Sequence, residues 1–339
     1  MSQNPFRVDV HHHFMIPEFA RAIMKATKLR EVYSTLRATG LANLKDSIDK
    51  IDLKWSTPKV LEWMDRNQIA AVIGSLPAPV YLDDKRFFPE LARRCNEHFA
   101  EVINQRPGRF GGFAMLPLPD AGAALNELAY ALDTLKLDGV VLEASIKGVY
   151  LGSPEQNELF DELNRRNTVV FIHPFVTPSM DVPLASLHVP PYLVEYVLET
   201  TRAVTNLLFS GTLERCPNIR FILSHAGGTV PFLIHRLGLG EYIPELGKKV
   251  PQGVASYLRR LYYDTALSAS PHGLRSLQEC TDNSHILFGS DYPAAPEEVT
   301  VASIQGLDKY TGFTDEQRQA IYRDNALALF PRLVGANGT

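Results

Sequence analysis

Eight short apolar runs, each followed by an amphipathic helical pattern, punctuate this chain. The runs fall at 7–13, 69–76, 109–116, 138–143, 168–173, 219–225, 261–265 and 285–291. Strands alternating with helices are the signature of a parallel sheet. Eight such units predict a closed (β/α)8 barrel, the TIM barrel, rather than an open sheet. Helical patterns at 58–66, 89–105, 121–135, 155–166 and 191–215 lie between the runs, and one at 315–330 closes the outer ring. Thr57-Pro58 and Ser153-Pro154 have the form of an N-cap followed by proline at the first helical position. At 339 residues and 45% hydrophobic, the chain has ample core, and residues 1–339 are assigned to one barrel domain. Two segments exceed ordinary connections. Residues 14–56 predict a small helical insertion over the barrel mouth, and the Pro-rich stretch 174–190 is a second insertion after strand five. Both follow strand ends, so both are expected to shape a pocket on the active-site face, the alternative being a solvated excursion.

Bulk properties exclude several classes. A formal charge of −4 and a pI near 6.2 give no pull toward nucleic acid. No apolar run approaches the roughly 20 residues that span a bilayer, so no membrane partner is expected. Cys95, Cys216 and Cys280 are scattered and odd in number, which suits reduced thiols in a cytoplasmic protein. The first residues lack the core of a signal peptide. No glycine-rich phosphate loop stands in strand-to-helix context, so no nucleotide cofactor is implied.

"VDVHHHF" raises the question of a purification-tag scar, a chance cluster or a metal site. Its valines and Phe14 place the histidines inside an apolar strand, unlike a tag at a terminus. Successive strand residues face opposite sides, so His11 and His13 share a face and His12 points away. Barrel active sites sit at the C-terminal strand ends. Read in order, those ends offer His11 and His13, Ser75, Met115, Glu143, His173, His225, Asp264 and Asp291. A lone histidine at a strand end is more often structural. Four apolar runs that end on histidine or aspartate at one barrel mouth point instead to a metal centre. His11, His13, His173 and Asp291 make a three-nitrogen, one-carboxylate set for one divalent ion, Zn2+ first and Mn2+ second. His225 is then a spare imidazole for proton transfer, and Asp291 combines ligation with acid–base work. Glu143 either lines the pocket or sits in a salt bridge. Asp264 either orients a ligand histidine or caps the following helix. Phe14, Trp55, Phe175 and Tyr292 could wall an apolar pocket or belong to the core. His12, His98, His235, His272 and His285 are expected to be structural, and His188 lies in the Pro-rich insertion.

The ordered set "VDVHHHF", "FIHP", "LSHAGG" and "FGSDYP" resembles the amidohydrolase superfamily. "ELNRRNTVVFIHP", "YYDTA" and "RDNALALF" extend the likeness nearly end to end. The branch it is most similar to is that of the metal-dependent non-oxidative decarboxylases. That branch includes the 2-amino-3-carboxymuconate-6-semialdehyde, γ-resorcylate and 6-methylsalicylate decarboxylases, and the last looks nearest. The resemblance implies His11, His13, His173 and Asp291 as metal ligands and His225 as the catalytic imidazole. It also implies a small carboxylate substrate and a homodimer. Two departures matter. The muconate-semialdehyde enzymes hold a substrate carboxylate with an arginine before a tryptophan that resembles Trp55. Here that stretch reads "DSIDKIDLKWS", with Lys50 and Lys54, and a lysine lacks the planar fork of an arginine. Binuclear relatives use a lysine at the end of strand four, where this chain has Glu143 in "VVLEAS", so one metal is expected. The implied activity is release of CO2 from a small aromatic or ene carboxylate, an ortho-hydroxybenzoate such as a 6-methylsalicylate-like acid. The alternative on the same barrel is a metal-dependent hydrolase of lactonase type.

Overall fold

Strands β1 (Arg7–His13), β2 (Ile69–Ser75), β3 (Phe110–Met115) and β4 (Gly139–Glu143) lie side by side. After a small hairpin, β5 (Ser145–Ile146) and β6 (Val149–Tyr150), the sheet continues through β7 (Val169–His173), β8 (Arg220–Leu223), β9 (Tyr262–Asp264) and β10 (Ile286–Leu287). Every pairing in this eight-stranded sheet is parallel. The ring closes beyond β10. Val10 N–H donates to the Phe288 carbonyl at 3.0 Å, and Asp291 N–H donates to the His11 carbonyl at 2.8 Å. His13 N–H donates to the Tyr292 carbonyl at 2.8 Å. The architecture is therefore the expected (β/α)8 barrel. This computed structural model describes residues 6–14, 16, 56–76, 87–175 and 191–336. Most of the insertion expected at 14–56, most of the Pro-rich stretch 174–190, and Lys50, Lys54, Trp55 and His188 lie outside the described residues.

Two apolar layers hold the barrel. Alternate strand residues, among them Ile73, Phe113, Val141, Phe171 and Ile222, fill its interior. The opposite faces pack against the helices. Helix α1 (Thr57–Arg66) buries Val60, Trp63 and Met64 at helical spacing, and α2 (Asn157–Arg165) buries Leu159, Phe160 and Leu163. Gly74 of β2 is dictated by this layer, because a Cβ there would sit 2.6 Å from the Phe14 ring. Phe14 is thus a core residue, packed on Phe99 at 4.8 Å between ring centroids. Tyr292 stacks on Trp63 at 4.2 Å.

Three local departures from regular strand geometry build the mouth. The first is a register shift in β1: Asp9 pairs with Val72 but His12 with Gly74, three steps against two. The shift lets Val8 and Val10 fill the interior core while His11 and His13 reach the mouth on the same side. The others correct the expected strand ends. β8 stops at Leu223 and β10 at Leu287, short of His225 and Asp291. Both residues take left-handed backbone, with φ of 53° and 63°. That conformation costs a non-glycine residue of order 1–3 kcal/mol and persists where neighbours over-determine it. Here His225 N–H donates to Asp264 Oδ1 at 2.9 Å, while Asp291 N–H is held by His11.

Candidate metal centre and active site

The barrel brings the four expected donors together. One donor atom each from His11, His13, His173 and Asp291 lies within 4.8 Å of the others, and all four residues are buried. His13 Nε2 is 2.8 Å and His11 Nε2 3.2 Å from Asp291 Oδ1. The His173 ring stands 5.1 Å from that of His11 and 4.9 Å from that of His13. His225 joins the same cluster, with Nε2 3.5 Å from Asp291 Oδ2.

Electrostatics suit this set to a dication. Burial, with the neighbouring imidazoles adding to it, holds His173 well below the usual imidazole range, so its ring is neutral and ready to ligate. Burial likewise lowers His13. Burial opposes ionisation of Asp291, but His11 and hydrogen bonds from three histidines outweigh it and hold the carboxyl well below its usual range. Burial also opposes charge on His11, yet Asp264 and Asp291 beside it push this imidazole up to about 10. The carboxylates therefore call for positive charge at this spot, and a bound cation meets the call as a proton does. The buried Nε2 atom of His173 has no hydrogen-bond partner among the described residues. Leaving that buried nitrogen unsatisfied is costly, and ligation would satisfy it. The cluster fits a divalent metal.

Neighbouring groups orient the donors. Asp264 Oδ2 lies 2.7 Å from His11 Nδ1, and its Oδ1 accepts from the backbone of His225 and Ala266. Of the two roles open to Asp264, it takes the orienting one. A proton on His11 Nδ1 leaves Nε2 free to face the cluster. Gly289 permits the approach, since a Cβ there would stand 2.9 Å from the His11 Cβ and 3.1 Å from that of Asp264. Asp9 is an element that reading along the sequence missed. Its Oδ1 accepts from His11 N–H and Ser290 N–H, and its Oδ2 from the Ser290 hydroxyl at 2.6 Å. Burial pushes its carboxyl up to about 7 against those hydrogen bonds. The one available signal was a charged residue between two valines of an apolar strand.

The remaining candidates separate cleanly. His12 points away from the cluster and packs against Trp63 and Tyr292. His285 stacks on Tyr262, outside the site. Glu143 is buried at the end of β4, paired across the sheet with His173, and lines a cavity with Leu76, Met115, Val141 and Ile146. Burial, and then the charge of Glu199, push its carboxyl well above the usual range.

Residues 8–332 match the model of the amidohydrolase family. This chain belongs to that family. A 6-methylsalicylic acid decarboxylase of Penicillium expansum is 35% identical, over 97% of this chain and 97% of its own. A 2-amino-3-carboxymuconate-6-semialdehyde decarboxylase of Dictyostelium discoideum is 28% identical, over 70% of this chain and 66% of its own. A solved structure, 5-carboxyvanillate decarboxylase of Novosphingobium aromaticivorans with manganese and a nitrobenzoic acid, superposes with a TM-score of 0.84. It is 16% identical, over 98% of this chain and 99% of that one, and so bears on the fold alone. The amidohydrolase resemblance drawn from the strand-end motifs thus holds, and the relatives include decarboxylases.

Proposed function

We propose that this amidohydrolase is a metal-dependent non-oxidative decarboxylase of a small aromatic acid, an ortho-hydroxybenzoate of the 6-methylsalicylate kind. The full-length likeness to a 6-methylsalicylic acid decarboxylase carries the reading. In it, one domain does the work, His11, His13, His173 and Asp291 hold one metal ion, and His225 and Asp291 handle protons. Three nitrogens and one carboxylate favour Zn2+ over Mn2+.

When bound, the ion supplies positive charge that holds and polarises the substrate's carboxylate and adjacent hydroxyl oxygen. The residues do the rest. The reaction consumes one proton: a C–H bond forms at the ring carbon bearing the carboxylate, the C–C bond breaks, and its electron pair restores the ring as CO2 leaves. Asp291 and His225 stand 3.5 Å apart over the mouth, a pair able to hold that proton and pass it to the ring. The buried mouth keeps bulk water from competing for it.

The test is mass spectrometry of metal-loaded protein with a pool of hydroxybenzoates, muconate-type acids and lactones. Loss of CO2 from a hydroxybenzoate is expected. Gain of water by a lactone, with every acid untouched, would move the activity to the hydrolase alternative. His225→Asn should keep its metal and lose turnover by about 10²-fold or more, whereas His13→Ala and Asp291→Ala should lose metal, read by elemental analysis.

Self-association as a homodimer belongs to the same reading. Phe232 and Tyr242 are 82% and 84% exposed, with Leu239 and Ile243 beside them on one stretch of helix and turn. Such a patch suits an interface. Cytoplasmic residence is proposed from three buried cysteines, none of them in a disulfide. Among the described residues no helix is long and apolar enough to cross a membrane. Recovery of the native protein from a secreted fraction would refute that placement.

A further inference from the structure

The barrel closes where β1 meets the chain beyond β10, and three of the four donors stand on that seam. His11 and His13 lie on one side of it and Asp291 on the other. Because β10 ends at Leu287, the seam runs on through single backbone bonds, from Val10 to Phe288, Asp291 to His11 and His13 to Tyr292. A side-chain clamp reinforces it. Asp9 Oδ1 accepts from His11 N–H and from Ser290 N–H, each at 3.0 Å, and Asp9 Oδ2 accepts from the Ser290 hydroxyl at 2.6 Å. Ser290 Oγ accepts in turn from Tyr292 N–H at 3.0 Å. Both side chains are fully buried. Asp291 thus has a clamped neighbour on each side, Ser290 through Asp9 and Tyr292 through Ser290 Oγ. Its φ of 63° is unfavourable for a residue with a Cβ and persists only under such restraint.

On the reading that His11, His13, His173 and Asp291 hold one ion, we propose that Asp9 and Ser290 are positioning residues for Asp291. They hold its backbone in the left-handed pose and so preset its carboxylate against the imidazoles before an ion arrives. One carboxylate, that of Asp9, grips both the backbone of the donor His11 and the residue next to the donor Asp291. The spacing between the two donors is therefore fixed from a point behind the cluster. Without the Ser290 hydroxyl, Tyr292 N–H loses its acceptor and Asp9 loses a donor. Asp291 is then free to relax to an ordinary backbone conformation, which turns its carboxylate away. An ion binds tightly only to the fraction of molecules in which all four donors stand ready, and its apparent affinity falls with that fraction. Groups that orient donors from behind commonly set metal affinity in this way.

Zinc affinity of the full chain, measured by competition with a chelating dye, tests this without turnover. Ser290→Ala should bind zinc about tenfold or more weakly than wild type. Ser290→Thr, which retains the hydroxyl, should stay within about threefold of wild type. Melting temperatures separate positioning from simple bracing. Loss of a brace lowers the metal-free and zinc-loaded values together, whereas loss of a positioning residue also narrows the gap between them at a fixed free zinc concentration. Wild-type zinc affinity in Ser290→Ala overturns the proposal. So does a melting gap equal to that of wild type, or a Ser290→Thr protein as weak as Ser290→Ala. His13→Ala tests the ligand set beneath it. Unchanged affinity there defeats that set, while lost affinity there beside full affinity in Ser290→Ala defeats the clamp alone. None of these readouts uses CO2 release, so the clamp can hold in a protein whose decarboxylase reading fails.

Discussion

At the scale of single residues, the centre depends as much on groups behind the donors as on the donors. Asp264 joins His11 to the backbone of His225, and Asp9 joins His11 to Ser290. Asp264→Asn keeps the shape but weakens the hold on the His11 tautomer. Its metal affinity should fall by about 10–100-fold, measured by competition with a chelating dye. The donors themselves were legible in the sequence, because strand alternation puts His11 and His13 on one side and apolar runs have no packing reason to end on histidine. Asp264 was legible only as one of two possibilities. A hydrogen bond between positions 11 and 264 leaves no local pattern, since nothing in the intervening chain records which strands become neighbours. Asp9 was missed for the same reason: its partners, Ser290 above all, are brought to it by barrel closure.

At the scale of elements, periodicity identified the strands and most helices, and failed where the backbone leaves regular geometry. The β1 register shift and the left-handed residues His225 and Asp291 decide where the functional side chains stand. Hydropathy cannot reveal them, because it records burial and not φ. Helices offer a cleaner case. On α2 the Glu162 carboxylate accepts hydrogen bonds from Arg165 at 2.7 and 2.6 Å and from Arg166 at 2.6 Å. The bond from Arg165 leads in lowering this carboxyl from 4.5 to about 2. A depressed carboxyl stabilises the fold above its unfolded value and ceases to do so as pH falls through its folded one. Glu162→Gln should therefore cost less than about 1 kcal/mol at neutral pH, since the pair is partly exposed to solvent. The difference from wild type should vanish between pH 4.5 and about 2, as chemical denaturation at stepped pH will show.

At the scale of the whole molecule, the surface carries its own prediction. Phe232 and Tyr242 stand almost fully in water on one side of the barrel, although aromatic residues are normally buried. Phe232→Asp with Tyr242→Asp should convert the proposed dimer to a monomer by light scattering and leave metal content unchanged. A wild-type protein that is already monomeric would remove the interface. The sequence by itself determined the fold class, the strand order and the identity of the four clustered donors. Those follow from local periodicity and from the rule that parallel strands of a barrel present their C-terminal ends to one mouth. Only the tertiary structure decided that Asp264 orients His11 rather than capping a helix. It alone placed Asp9 beneath the site, set Glu143 against Glu199 at the edge of an apolar cavity, and put Phe14 in the core. Each of these depends on distances between segments far apart in the chain, and such distances exist only once the barrel has closed.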